Sequence, residues 1–134
     1  MKKQQGFVIL LSVLVIGAVG LSVALALVFS GIDSYRTSYN TIQSKQATAL
    51  TTACGEEVLR LILDNNSYTG TDNISLGSGS CAYTVTNTGG ENRTIQITGT
   101  VDSTTENIIR KVVIMIDSVS PQVNVLSWQE VADF

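Results

Sequence analysis

The spacing of hydrophobic residues changes twice along this chain of 134 residues. An apolar run extends from Phe7 to Phe29, and beyond it hydrophobic positions recur every three or four residues as far as Asp64. From Cys81 onward the period falls to two. Spacing of three and four is typical of an amphipathic helix, and alternation is typical of a strand with one buried face. The pattern therefore predicts a long helix followed by a sheet.

The apolar run is long enough to cross a membrane. Residues 7–29 correspond to roughly 34 Å of α-helix, and a bilayer hydrocarbon core is about 30 Å thick. Lys2 and Lys3 precede the run, and no acidic residue lies before it. Positively charged flanks stay in the cytoplasm. We therefore expect a single-pass segment in the cytoplasmic membrane, with its N-terminus inside and everything after Phe29 outside.

Beyond Phe29 the predicted helix has one hydrophobic face. The face comprises Ile32, Tyr35, Tyr39, Ile42, Ala49 and Ala53, widened by Leu50, Cys54, Val58, Leu61 and Ile62. Such a face has to be covered by another element, and we expect the tyrosines to pack against a sheet. Gly31 lowers helix propensity, so a break near Gly31 is an alternative to one unbroken helix. Turn-forming residues at 64–67 predict the end of the helix.

Alternating segments in the outer half predict antiparallel strands. Cys81–Thr86 and Arg93–Val101 both alternate, and the turn formers at 87–91 indicate that they form a hairpin. A second turn is expected at 102–106. The nearly continuous apolar segment Ile108–Asp117 follows it, and we interpret this segment as a more buried, central strand.

The remaining outer segments complete a small α+β domain. Residues 65–80 are polar and predict a loop, whereas residues 121–134 predict an edge strand or a covering tail in which Trp128 packs. The fold class predicted from the sequence is α+β. A long N-terminal helix, with a membrane half and an amphipathic half over residues 30–64, packs on a small antiparallel sheet of three to four strands within residues 81–134.

Cys54 and Cys81 are the two cysteines of the chain, and both lie on the outward side of the apolar run. An oxidising compartment favours a disulfide between them, which would tie the helix end to the sheet. Closing this loop stabilises by roughly 3 to 4 kcal/mol in the chain-entropy model. Two reduced thiols are the alternative where the cell has no oxidation system.

The composition offers little for catalysis or ligand binding. The chain contains no histidine, and two cysteines without a further cluster do not form a tetrahedral zinc site. A net charge of −3 gives no basic surface for nucleic acid. We therefore predict a protein that is not an enzyme, with no cofactor, no metal, no small-molecule substrate and no nucleic-acid partner.

The N-terminal residues KKQQG, followed by FVILLSVLVIGAVG, resemble the leader and first helix of type IV pilins and type II secretion pseudopilins. The resemblance implies that residues 1–6 are a leader, that prepilin peptidase cuts after Gly6, and that Phe7 becomes the methylated amino terminus. Residues 7–29 then stay on the protein, first in the membrane and later packed against other pilin or pseudopilin subunits in a cell-surface filament. Residues 30–134 form the extracytoplasmic domain.

Two features depart from the family pattern. Most members carry a glutamate five residues into the mature chain, where this sequence has Leu11. The family's glutamate pairs with the amino terminus of an adjacent subunit, and the minor pseudopilin at the filament tip typically lacks it. The resemblance therefore implies a minor, tip-type subunit. The proline that many pilins carry late in this helix is also absent, and Gly17 and Gly20 supply either a bend or a close helix contact.

Two other interpretations of the N-terminus remain open. Ala24-Leu25-Ala26 fits the cleavage pattern of a secretory signal, which would give a mature chain starting at Leu27. An uncleaved signal anchor would instead keep Met1 and leave a membrane-anchored extracytoplasmic binding module.

Overall fold

The computed structural model describes residues 2–102 and 107–134. Helix α1 is followed by five strands, with the bounds α1 Lys2–Asp64, β1 Gly70–Leu76, β2 Gly79–Gly89, β3 Asn92–Val101, β4 Ile108–Ser118 and β5 Asn124–Val131. The chain divides into two compact units, one ending at Asn40 and the other, here called the outer unit, beginning at Thr41. Most of the turn expected at 102–106 falls outside the described residues.

The first unit is helical throughout. The helix passes through Gly17, Gly20 and Gly31 without interruption, so the alternative of a break near Gly31 is wrong. A glycine inside a helix costs about 1 kcal/mol relative to alanine. This penalty is local, and the backbone hydrogen bonds on either side of each glycine remain in place.

The outer unit contains an antiparallel sheet in the order β1-β2-β3-β4-β5. Together with the C-terminal half of α1 it forms the predicted α+β arrangement, and the hairpin of β2 and β3 turns at Gly90, which has a positive φ. The sheet has five strands, not three to four. The additional strand, β1, lies in residues 65–80, where the sequence predicted a loop. Strand β1 is a polar edge strand whose side chains are almost all exposed, so it lacks the buried alternation by which strands are predicted.

The most buried strand is β3, where alternate residues from Arg93 to Val101 are buried. The interpretation of β4 as the central, more buried strand is therefore wrong, because β3 occupies the middle of the sheet. Strand β4 buries one face only. Its continuous apolar run arises because the opposite face also carries hydrophobic residues, and of these Ile109 and Met115 are exposed.

The core of the outer unit lies between α1 and one face of the sheet. It contains Ala47, Leu50, Cys54, Val58, Ile62, Cys81, Tyr83, Val85, Ile95, Ile97, Val101, Val112, Ile114, Ile116 and Val119. The helical stripe of Leu50, Cys54, Val58 and Ile62 is confirmed. The predicted packing of the tyrosines on the sheet is wrong, since Tyr35 and Tyr39 are exposed by 70% and 39%.

The buried face of α1 begins at Gln43, so the earlier positions of the predicted stripe lie outside it. Ile32 and Ile42 are exposed. Ala49 and Ala53 are exposed as well, because the 3.6-residue turn of the helix carries them to the edge of the face that Leu50 and Cys54 occupy.

Candidate functional site

Residues 7–29 of α1, here called the apolar segment, form a hydrophobic surface on every side of the helix. Each large hydrophobic side chain in it is between 49% and 71% exposed. A helix that is apolar all round belongs in an apolar environment, and a patch of this extent exceeds what soluble monomers normally expose. Among the described residues, α1 is the one helix that is long and apolar enough to cross a membrane.

The polar side chains inside the apolar segment are satisfied by the helix itself. Ser12 Oγ donates to the carbonyl of Val8 over 2.8 Å, and Ser22 Oγ donates to the carbonyl of Val19 over 2.8 Å. A hydrocarbon environment offers no hydrogen-bond partners, so polar groups there must be paired internally. Both hydroxyls are therefore compatible with lipid or with a packed helix surface.

The positions that the leader resemblance singles out lie on this exposed helix. Gly6 and Phe7 are exposed, and Leu11 is an exposed apolar side chain. Apart from the adjacent backbone of its own helix, a Cβ added at Gly17 or Gly20 would meet no atom within 4 Å. No steric contact among the described residues therefore requires glycine at these positions, and a close contact with another helix remains a prediction for them.

The predicted disulfide is present in the structure. Cys54 of α1 and Cys81 of β2 are bonded, with their Cα atoms 6.4 Å apart, and neither side chain is exposed. The bond links the helix to the sheet across a sequence separation of 27 residues. A cross-link of this span contributes about 3.5 kcal/mol in the chain-entropy model.

Two glycines let the helix and sheet approach closely, and the sequence analysis did not identify them. A Cβ on Gly55 would lie 2.7 Å from the Trp128 ring, so one side of this ring packs on the helix while the residue stays 38% exposed. A Cβ on Gly99 would lie 2.5 Å from the Thr51 methyl and 3.3 Å from the carbonyl oxygen of Ala47. Glycine in a strand often marks such a close backbone approach, so Gly99 carried a signal that could have been used.

Arg93 links two segments of the chain at one end of the outer unit. Its side chain is buried, and it donates to the carbonyls of Gly90 and Asn66 over 2.9 and 2.8 Å. These bonds join the β2–β3 turn to the residues that follow α1. The sequence analysis treated Arg93 only as the start of a strand, and an arginine beside a turn gives no signal of burial.

The Glu91 side chain links the β2–β3 turn to the loop between β4 and β5. Its carboxylate accepts the backbone N–H groups of Val119 and Ser120 over 3.0 and 3.3 Å. These two hydrogen bonds favour the ionised form and lower the pKa of Glu91 below its ordinary value. The contact therefore depends on the charge of the carboxylate.

An open groove of about 330 Å³ lies beside the C-terminal residues, lined by Ile109, Arg110, Lys111, Glu130, Val131 and Ala132. Its two cations are paired within the chain. Arg110 donates to Glu130 over 2.8 Å and also to Ser44, whereas Lys111 donates to Asp133. The hydrogen bond from Lys111 lowers the pKa of Asp133. These pairs attach the end of the chain to β4 and do not form a catalytic constellation.

A hydrogen-bonded pair of tyrosines, buried Tyr83 and half-buried Tyr68, is also structural. The hydroxyls of Tyr68 and Tyr83 are 2.9 Å apart, and burial, followed by this hydrogen bond, raises the pKa of Tyr83 far above its ordinary value. Tyr83 is therefore neutral and acts as a hydrogen-bonding group. Within residues 2–102 and 107–134, no three His, Cys, Asp or Glu side chains are grouped to hold a metal ion.

Comparisons with protein-family models, with curated proteins and with solved structures find no match for this chain.

Proposed function

We propose that this chain is a structural subunit of the type IV pilin or type II secretion pseudopilin kind. It inserts with its N-terminus inside, is cut after Gly6 and joins a cell-surface filament through the apolar segment. The observation that supports this proposal is the uncovered hydrophobic surface of residues 7–29, carried on the same helix that packs against the disulfide-linked sheet.

A retained apolar segment accounts for this arrangement better than a discarded signal does. Cleavage after Ala26 would leave Leu27, Val28 and Phe29 at the start of the mature chain, and these side chains are 57% to 69% exposed. Burying apolar surface stabilises by roughly 25 cal/mol per Å², so an uncovered apolar end in water is unfavourable. Retention in lipid, and then against neighbouring helices, covers the entire segment.

Leu11 supports a minor role within the filament. Its apolar side chain makes the inner part of the segment uniformly hydrophobic, and it offers no carboxylate to the amino terminus of a neighbouring subunit. The L11E variant tests this role. If absence of the acid limits the subunit to the tip, L11E should increase the number of copies per filament, whereas L11Q, which adds a polar group without charge, should not.

Mass spectrometry of the N-terminus tests the proposal as a whole. A mature chain that begins at methylated Phe7 supports it. An intact Met1 would favour a membrane-anchored binding module, and a start at Leu27 would favour secretion. G6L should block cleavage and retain Met1, whereas the matched variant G17L, within the retained helix, should still be cut after Gly6.

A further inference from the structure

Two stacked tyrosines lie on α1 just beyond the apolar segment. The rings of Tyr35 and Tyr39 have centroids 6.3 Å apart and planes inclined by 15°. Residues four positions apart lie on the same face of a helix, so the rings form one patch. Tyr35 is 70% exposed, although it is a large aromatic residue in a folded chain. The patch is therefore available to a partner outside the first unit.

The position of the patch matches the lipid headgroup layer. Tyr35 follows Phe29 at a rise of about 9 Å and Tyr39 at about 15 Å, whereas each headgroup layer extends roughly 5 to 8 Å beyond the hydrocarbon core. Side chains on a helix lean toward its N-terminus, which carries both rings back toward the apolar segment. When residues 7–29 fill the core, the Tyr35 ring consequently reaches the headgroup layer, and the Tyr39 ring stacks on it from the outer side.

The chemistry of the patch also suits this boundary. A phenol has an apolar ring and a hydroxyl that needs water or a headgroup, and tyrosine is enriched where membranes meet water. The first charged side chains after the apolar segment, Asp33 and Arg36, lie at the same level and are exposed. The change from an apolar to a charged surface thus coincides with the tyrosine patch.

We infer that Tyr35, supported by the stacked ring of Tyr39, is an interfacial anchor that binds the phospholipid headgroup layer of the outer leaflet and sets the depth of α1 in the membrane. This inference rests on the membrane-spanning step of the proposed function. It does not depend on cleavage after Gly6 or on filament assembly.

Depth-dependent quenching by brominated lipids tests the anchor. The full chain carrying Y35W and W128F has its single tryptophan at the patch, and it is reconstituted in phosphatidylcholine vesicles brominated either near the headgroup or deep in the acyl chains. Stronger quenching by the shallow bromines is the expected result. Absence of quenching, or stronger quenching by the deep bromines, would overturn the anchor.

Two matched variants separate this inference from the proposed function. F29W/W128F should be quenched at either bromine depth more strongly than A49W/W128F, since Ala49 is an exposed residue of the outer unit. If F29W/W128F is quenched and Y35W/W128F is not, the anchor alone fails. If F29W/W128F is also unquenched, the apolar segment does not enter lipid, and both proposals fail.

Because Trp128 packs against Gly55, W128F could by itself alter the outer unit, so a second measurement keeps Trp128 in place. With Trp128 retained, Y35W should add a component quenched by shallow bromines that the parent chain lacks. A contact between subunits is the competing use of the patch. If Y35W is unquenched in vesicles while Y35A/Y39A abolishes filament assembly, the patch binds another subunit and not lipid.

Discussion

Two stretches of the same helix present opposite surfaces. In the apolar segment every large hydrophobic side chain is exposed, whereas between Gln43 and Ile62 one stripe of hydrophobic side chains is buried under the sheet. This stripe comprises Ala47, Leu50, Cys54, Val58 and Ile62. Both stretches are hydrophobic and helical. They differ in what covers them, because within residues 2–102 and 107–134 a sheet covers the second stretch, whereas the side chains of the first are exposed.

This difference shows how the distribution of hydrophobic residues around a helix indicates its environment. A stripe needs a partner on one side, which a strand or a second helix of the same chain can provide. A surface that is apolar all round needs a medium, such as lipid or a bundle of neighbouring helices. The two stretches can therefore be distinguished by substitutions of one residue type at matched positions.

The largest expected difference is between two isoleucines of α1. I62A removes a fully buried side chain and should lower the free energy of unfolding of the outer unit by about 4 kcal/mol. I16A removes a side chain that is 71% exposed and should change the same free energy of unfolding by less than about 0.5 kcal/mol. Urea unfolding in detergent measures both. Equal effects would contradict the division between a covered and an uncovered stretch.

Removal of the disulfide should have the next largest effect, and only on the outer unit. The C54A/C81A variant should lose about 3.5 kcal/mol of unfolding free energy, because the unfolded chain regains the freedom that the cross-link removes. Its extraction from membranes by detergent should match that of the parent chain. Thermal unfolding that is unchanged in the double variant would show that the bond does not stabilise this unit.

Glycines in the two units should also respond differently. G99A places a Cβ 2.5 Å from Thr51 and close to the helix backbone, so we expect a loss of about 1 to 3 kcal/mol from overpacking. G17A has no neighbouring atom within 4 Å and should leave urea unfolding of the outer unit unchanged. A G99A variant as stable as the parent would mean that helix and sheet separate at little cost.

The smallest effect concerns pH and involves Glu91. Because its pKa is lowered on folding, Glu91 adds stability above the ordinary glutamate pKa of about 4.3, and this contribution is lost as pH falls through the folded value. E91Q should therefore be less stable at neutral pH and lose less on acidification. Thermal melts at a series of acidic pH values measure how steeply the stability of each variant falls with pH. The matched control is E56Q. If the stability of E91Q depended on pH as strongly as that of the parent chain, this would contradict the role assigned to the Glu91 carboxylate.

Periodicity predicted those elements whose burial follows a regular pattern. Sequence patterns predicted three features: the β2–β3 hairpin, the helical stripe from Leu50 to Ile62 and the disulfide. Strand β1 was missed because its first four residues are polar or glycine, and only Ile74 and Leu76 at its end alternate with polar residues. The burial of Arg93 was missed because its partners are backbone carbonyls from distant positions, and such partners leave no pattern in the sequence.

For Tyr35 and Tyr39 the same periodicity gave a wrong prediction, namely that they pack on the sheet. Tyr35 and Tyr39 continue the three-and-four spacing, but periodicity alone does not say where the covering sheet ends. Leu11 and the small residues around Gly17 carried information only through the resemblance of the leader, because the contacts predicted for them lie between molecules.

The intact mass of the chain recovered from surface material sheared off whole cells tests the central claim most directly. The account predicts a polypeptide that runs from methylated Phe7 to Phe134 with its disulfide closed, so that the apolar segment has left the membrane on the mature protein. Recovery of a chain beginning at Leu27 would show that the segment is discarded, and it would contradict the account.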